Sequence, residues 1–326
     1  MVSVIIPTYN YAHYISEAIE SILNQIFPSN EIEIIVIDDG SEDNTSEIIK
    51  KYKGKLTYLY QKHEGKAFAT KAGIEIATGK YIFNLDADDI FLPNKIEKVV
   101  DIFEKDRDIV HVSHPAIYWN IEYDTRQMEP VPEKIKGQKI KGQELLKYFY
   151  QNGIFFGGGS TFSGRADILK KIFIKKEIDM QLDEYLVWFT LKDGYSFFID
   201  EPLSIWRIHS KNFSVEKLDI KKIQRVVEGI EFVCSEILRN DFATELKKLY
   251  LLKNYIIKLV AKEITGEKSL SDVIRLWNYI LSNFSLFDKN TFSIIKNYKV
   301  LNRSIPTFML KWLKKFKNVI FGELKK

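Results

Sequence analysis

The sequence predicts an α/β fold: a mostly parallel sheet flanked by helices, followed by an α-helical C-terminal extension. Three observations predict it. Strand and helix patterns alternate over roughly the first 110 residues. Polar residues cluster directly after the strand patterns. Beyond Ser214 the apolar residues recur at helical spacing.

The first strand is the apolar run at residues 2–6, closed by Pro7. Ile15, Ala18, Ile19 and Ile22 then recur as one face of a helix. A second β-rich run, residues 32–37, ends in the polar turn Asp38-Asp39-Gly40-Ser41. Ile48, Ile49 and Tyr52 mark a short helix, with Asp43 and Asn44 placed to cap it. Residues 56–60 read as a third strand, and 66–77 as a helix with Gly79 just past its end. Residues 81–85 form a fourth strand, and 94–103 another helix.

In parallel sheets ligands bind outside the carboxyl ends of the strands. That rule gathers Thr8, Tyr9 and Asn10, then Asp38 and Asp39, then Asp86, Asp88 and Asp89 on one edge. Residues 111–214 are less regular. They hold a polar stretch at 122–142, the glycine cluster Gly157, Gly158 and Gly159, and a helical run at 182–191. Further on, Ile220, Ile223, Val227 and Ile230 form a stripe. Leu246, Leu249, Ile256 and Leu259 suggest a second helix, and residues 273–281 a third. The chain therefore reads as an α/β part (1–110), a less regular middle part (111–214) and a basic helical region (215–326).

Composition narrows the class. The 326 residues are 45% hydrophobic with a single cysteine, Cys234, which excludes a disulfide scaffold. The cysteine reads as a small core residue. No apolar stretch approaches the roughly 20 residues that span a bilayer, and no signal-peptide pattern precedes Val2. The expected location is the cytoplasm unless something anchors the chain. The net charge of +4 hides an asymmetry: residues 215–326 carry 22 Lys and Arg against 12 Asp and Glu. A basic tail suits an anionic partner. Its end, residues 306–326, has Met309, Trp312, Leu313 and Phe316 on one face and Lys311, Lys314 and Lys315 mainly off it. Three readings stand: core packing on the catalytic part, peripheral contact with the inner face of an anionic membrane, or a partner-protein surface. The tail lacks an interleaved recognition motif, so nucleic acid is not expected.

The run Asn84-Leu85-Asp86-Ala87-Asp88-Asp89 delivers three carboxylates to one loop. Packed carboxylates repel one another, and a hard divalent cation such as Mn²⁺ or Mg²⁺ relieves that cost. Such an ion would neutralise a diphosphate leaving group.

Val2-Ser3-Val4-Ile5-Ile6-Pro7-Thr8-Tyr9-Asn10, Val36-Ile37-Asp38-Asp39-Gly40-Ser41 and Gly79-Lys80-Tyr81-Ile82-Phe83-Asn84-Leu85-Asp86-Ala87-Asp88-Asp89 resemble the three signature blocks of the family 2 glycosyltransferases. The resemblance covers roughly residues 1–214. It implies a GT-A-type fold and an inverting transfer from a nucleoside-diphosphate sugar to an acceptor hydroxyl on a glycan or lipid-linked molecule. It also implies roles. Pro7, Thr8, Tyr9 and Asn10 would line the base and ribose, and Asp38 or Asp39 would hydrogen-bond the base. Asp86, with Ala87 beside it, would face the ribose, and Asp88 would hold the metal.

Thr70 stands where the family usually has arginine, so Lys66 or Lys71 would supply the positive charge, and the recognised base stays open. Leu182-Asp183-Glu184-Tyr185 resembles the segment bearing the catalytic base, with Asp183 preferred and Glu184 the alternative. Ile205-Trp206-Arg207-Ile208-His209 resembles the family's Tyr-Arg-x-His segment. There His209 would ligate the metal or donate to diphosphate, and Arg207 would neutralise phosphate. Two rivals remain at this level. A sugar-nucleotide pyrophosphorylase would need a glycine-rich phosphate loop that residues 7–14 lack. A catalytically degenerate nucleotide-sugar-binding module would keep the fold without turnover.

Overall fold

The computed structural model describes residues 1–152, 154–210, 212 and 220–283. The amphipathic segment 306–326 lies outside the described residues. The chain opens with β1 (Val2–Thr8), α1 (Ile15–Leu23), β2 (Ile32–Asp38), α2 (Thr45–Lys50), β3 (Thr57–Tyr60), α3 (Lys66–Ile76) and β4 (Tyr81–Asn84). Next come β5 (Ile90–Phe91), α4 (Lys95–Lys105), β6 (Ile109–Ser113), β7 (Ala116–Asn120), β8 (Thr125–Met128), β9 (Lys139–Lys141) and α5 (Gly142–Asn152). Then follow β10 (Ser163–Arg165), α6 (Ala166–Leu169), α7 (Leu182–Thr190), β11 (Tyr195–Phe198) and β12 (Ser204–Ile208). Three helices close the described chain: α8 (Ile220–Arg239), α9 (Thr244–Ile264) and α10 (Leu270–Ser282).

The main sheet has the order β3-β2-β1-β4-β10-β6-β11-β9. Its first four strands are parallel, as the alternation of strands and helices requires. β1 runs past Pro7 to Thr8, with Thr8 opposite Asp38. Proline is tolerated there because the β4 ladder has already ended, at Asn84 opposite Ile5. Alternate β1 residues feed two cores. Val2, Val4 and Ile6 pack with Ile15, Ile19 and Ile22 of α1 and with Ile96, Val99 and Phe103 of α4. Ile5 faces the opposite side and packs with Ala69 and Ile74 of α3.

The sheet departs from the expected parallel pattern in its second half. β10 enters antiparallel between β4 and β6, and β9 pairs antiparallel with β11. A second sheet, β5-β12-β7-β8, stands beside the first. β8 and β9 fall within the polar stretch 122–142, where the residues of β8 are all exposed, so no apolar alternation marks them.

The second core runs on into the C-terminal helices. Tyr185 and Trp188 of α7 cluster with Ile230, Val233, Cys234 and Ile237 of α8 and with Leu246 and Tyr250 of α9. Cys234 is a buried core residue, as read from the sequence. Among the described residues no helix is long and apolar enough to cross a membrane.

Candidate active site at the strand ends

The strand-end rule brings the expected groups together. Lys66 begins α3 and reaches across the sheet edge to Asp86, just past β4, at 2.8 Å. The same ammonium lies 3.5 Å from Asp183 in the first turn of α7. Burial opposes the charge on Lys66, but the Asp183 and Asp86 carboxylates outweigh it and hold the amine above its ordinary value. Burial raises Asp183 above the usual carboxylate range, with Lys66 opposing and Asp86 adding to the rise. Gly159, with φ 52°, sits between the acids: a Cβ there would lie 3.5 Å from an oxygen of Asp86 and 3.5 Å from one of Asp183. Any longer side chain would project into that space.

Asp183 and Glu184 are neighbours in sequence but face different surroundings. Glu184 points to α9, where Lys253 pairs with it, and to α5, whose Tyr150 hydroxyl donates to it. Asp183 alone of the two joins the Lys66 and Asp86 cluster.

The loop after β4 rests on a buried polar network. Ser160 Oγ accepts from the Asp86 amide at 3.0 Å and donates to Asp89 at 2.5 Å. Lys95, fully buried, donates to the Ser160 carbonyl at 2.5 Å and to Ser204 Oγ at 3.1 Å. Burial drives the Lys95 amine well below its ordinary value. Burial also pushes Asp89 well above the carboxylate range, with Asp88 and Asp86 adding to the shift. Sequence reasoning missed Lys95: a lysine opening a helix after Pro93-Asn94 looks like a surface residue.

Asp88 lies on the side facing the second sheet. Its carboxylate is 3.1 Å from His209 Nε2 and accepts from Asn212 Nδ2 at 2.9 Å. The His209 ring stacks on Tyr14 at 4.5 Å, and its buried Nδ1 has no hydrogen-bond partner among the described residues. An Asp88 carboxylate oxygen beside His209 Nε2 offers an oxygen and a nitrogen ligand that Mn²⁺ or Mg²⁺ could take between them, so these residues fit such an ion. Among the described residues no group of three His, Cys, Asp or Glu converges as a ready cage. A two-residue site leaves positions for phosphate oxygens and water. Arg207 is buried and committed to the protein: it pairs with Glu17 at 3.0 Å, donates to the Asp88 carbonyl, and packs on the Tyr14 ring.

At the β1 and β2 ends, Thr8 and Pro7 are buried and Tyr9 is half-exposed, stacked on His63 at 4.0 Å. Asn10 adopts φ 59° and accepts from the Glu42 amide at 2.8 Å. Asp38 accepts from the Ser41 amide and from the Tyr58 hydroxyl, each at 2.8 Å. Asp39 accepts from Gln61 Nε2 at 2.7 Å and from the amides of Glu64 at 3.0 Å and Gly65 at 2.7 Å. Both carboxylates thus hold loops in this structure. Ala87 is buried in the core beneath the loop. Lys71 is not brought to the cluster; it pairs with Glu75 at 3.8 Å along α3. Asp43, rather than Asn44, bonds the α2 entrance, accepting from the Thr45 amide at 3.0 Å.

The Glycosyl transferase family 2 profile matches residues 3–173, more than half of the chain. The chain belongs to this family. An uncharacterized glycosyltransferase of Rickettsia prowazekii is 44% identical over 274 residues, 79% of this chain and 84% of that protein. Another, from a Nostoc species, is 30% identical over 255 residues, 75% of this chain and 76% of its own. Among solved structures, S. aureus TarS 1-349 aligns with a TM-score of 0.62 at 16% identity, covering 91% of each chain. The mannosyltransferase PcManGT of Pyrobaculum calidifontis, solved with GDP-Man and Mn²⁺, aligns with a TM-score of 0.54 at 17% identity. It covers 92% of this chain and 79% of its own. The glycosyltransferase described here therefore has the GT-A-type fold, a central sheet flanked by helices, with a helical C-terminal region.

Proposed function

We propose that this glycosyltransferase moves a sugar from a nucleoside-diphosphate donor to an acceptor hydroxyl with inversion, with Asp183 as the base. One observation carries the reading: Asp183, Lys66 and Asp86 meet at the strand ends, and the raised Asp183 carboxylate faces the same space as Gly159. A base working near neutral pH benefits from such a rise. TarS has been solved with UDP-GlcNAc and PcManGT with GDP-Man, which supports a nucleotide-sugar donor of either base class.

Each residue has a task in this reading. Tyr9 and His63 offer a stacking surface for the base, and Asp39 keeps the loop from Gln61 to Gly65 in place beside it. Lys66 holds Asp86 and steadies Asp183. Asp183 accepts the proton from the acceptor oxygen as that oxygen attacks the anomeric carbon, and the nucleoside diphosphate leaves from the opposite face. Asp88 and His209 would hold Mn²⁺ or Mg²⁺, which supplies positive charge to the diphosphate when bound. Arg207 fixes the Asp88 backbone. We assign residues 1–110 to the donor and 111–214 to the acceptor; the basic segment 306–326, outside the described residues, keeps its three readings of core packing, peripheral contact with an anionic membrane face where a lipid-linked acceptor would lie, or a partner-protein surface.

The test is binding and turnover with a panel of UDP and GDP sugars. Wild-type protein should show a Mn²⁺-dependent thermal shift with one base class, lost in Asp88→Ala. Asp183→Asn should lower kcat by about 10³-fold or more while donor binding stays near wild type. Full turnover in Asp183→Asn would remove it as base. Binding without any transfer or donor hydrolysis by the wild type would instead indicate a degenerate module.

A further inference from the structure

Lys66 owes its place to two carboxylates outside its own helix. Helix α3 begins after Gly65, which has φ 103° and no side chain to cap the exposed amides. Asp39 accepts from the Gly65 amide at 2.7 Å. Asp179 accepts from the Ala67 amide at 2.9 Å. The Lys66 backbone is thus pinned on both sides. Asp179 comes from a short 3-10 turn, Lys176–Gln181, just before α7. A Cβ at Gly65 would lie 2.6 Å from its Oδ1, so the two segments are in close contact. The other Asp179 oxygen is held at 2.5 Å by Arg225 of α8.

The three links form a continuous line: Arg225 to Asp179, Asp179 to the first turn of α3, and Lys66 to Asp86 and Asp183. The turn that bears Asp179 runs directly into α7, which bears Asp183. One acid therefore joins the helix carrying the cation to the helix carrying the carboxylate it faces. Arg225 itself borders an open cleft of about 520 Å³ lined also by His63, Lys176 and Met180. Its side chain is half-exposed, so truncating it opens no core cavity.

We propose that Asp179 and Arg225 are positioning residues for sugar transfer, fixing Lys66 against Asp183 and Asp86, and that α8 thereby completes the active site. The inference rests on the reading of Lys66, Asp86 and Asp183 as the transfer centre. Arg225→Ala leaves Asp179 free to swing and lets the first turn of α3 fray. The ammonium then samples several positions, and small displacements of reacting groups are costly to rate.

The experiment uses the full-length chain. Nucleoside-diphosphate release from a panel of UDP and GDP sugars with Mn²⁺ gives kcat and KM, and calorimetry with UDP and GDP gives nucleotide affinity. Arg225→Ala should lower kcat by about tenfold, with KM and nucleotide affinity within about threefold. Arg225→Lys should recover most of the loss, because the ammonium still reaches Asp179. Asp179→Ala should lower kcat further than Asp179→Asn, which keeps an oxygen for the Ala67 amide. If Asp179→Ala fails to fold, the Asn and Lys variants still decide. Wild-type kcat in Arg225→Ala overturns the positioning role, as does a loss that Arg225→Lys does not recover. A wild type that binds no nucleotide and releases none would instead sink the functional reading, and the positioning role with it.

Discussion

At the scale of single residues, chemistry depends on which way two adjacent acids point. Asp183 and Glu184 follow one another on α7, roughly 100° apart around the helix. That rotation sends one carboxylate to Lys66 and the other to Lys253. The sequence brings the choice down to these two residues with Asp183 preferred, but the partner that sets them apart, Lys253, lies 69 residues along the chain from Glu184. The Lys66 contact gives a pH prediction. In the proposed reaction Asp183 works as the carboxylate, and burial together with Asp86 raises its pKa. The acid limb of kcat/KM should therefore lie above the ordinary carboxylate range. Lys66 opposes that rise, so Lys66→Met should move the limb to still higher pH as well as lowering kcat. A limb that stays put in Lys66→Met would separate Lys66 from the base.

At the scale of elements, strands β1 to β4 were legible because each is an apolar run closed by turn chemistry. The residues of β1 are buried throughout, and its apolar run, interrupted only at Ser3 before Pro7, is that of a strand covered on both faces. β10 was illegible for the opposite reason: it is three residues, Ser163–Arg165, with no apolar side chain to signal a strand. The second sheet escaped notice because its strands come from distant segments and β8 is exposed. Within the loops after β1, β2 and β4, the grouping of acids was legible from the strand-end rule. The commitment of Asp38 and Asp39 to Tyr58, Gln61 and Gly65 was not, since those partners return from β3 and the turn after it.

β6 carries a further consequence. His111 is buried between Ser196 Oγ at 2.9 Å and the Gly157 carbonyl at 3.1 Å. Burial pulls its pKa from 6.5 down to about 4, and buried His114 shifts the same way. The folded state holds the neutral ring, so the unfolded chain takes up the proton first as pH falls. Stability is full above about 6.5 and declines from there towards 4, by on the order of 3 kcal/mol for His111. Urea titrations between pH 7.5 and 4 should show that decline, reduced in His111→Gln. An equal slope in the variant would point to other groups.

At the scale of the molecule, α8 and α9 share a hydrophobic core with the elements before them, while α10 packs on α9 in a cluster of its own. Trp188 of α7 is enclosed by Phe242 and by Tyr250 of α9, with ring centroids at 5.2 and 5.3 Å. A chain ending at residue 214 would expose that face of α7 and lose the Arg225 and Lys253 ion pairs. It should fail to unfold cooperatively and should bind a hydrophobic dye, whereas the full chain should give one sharp transition. A cooperative transition in the truncated chain would show that the helices merely attach.

The placement of β10 bears on how the protein is made. β4 has β1 on one side and, on the other, a strand that arrives about 80 residues later in the sequence. While a ribosome is still extending the chain, the first four strands can assemble, but the free side of β4 offers bare amides and carbonyls to any neighbour. Emergence of residues 163–165 from the ribosome ends that vulnerability. Nascent chains halted before that point should be the ones that chaperones retain and that pair wrongly with one another.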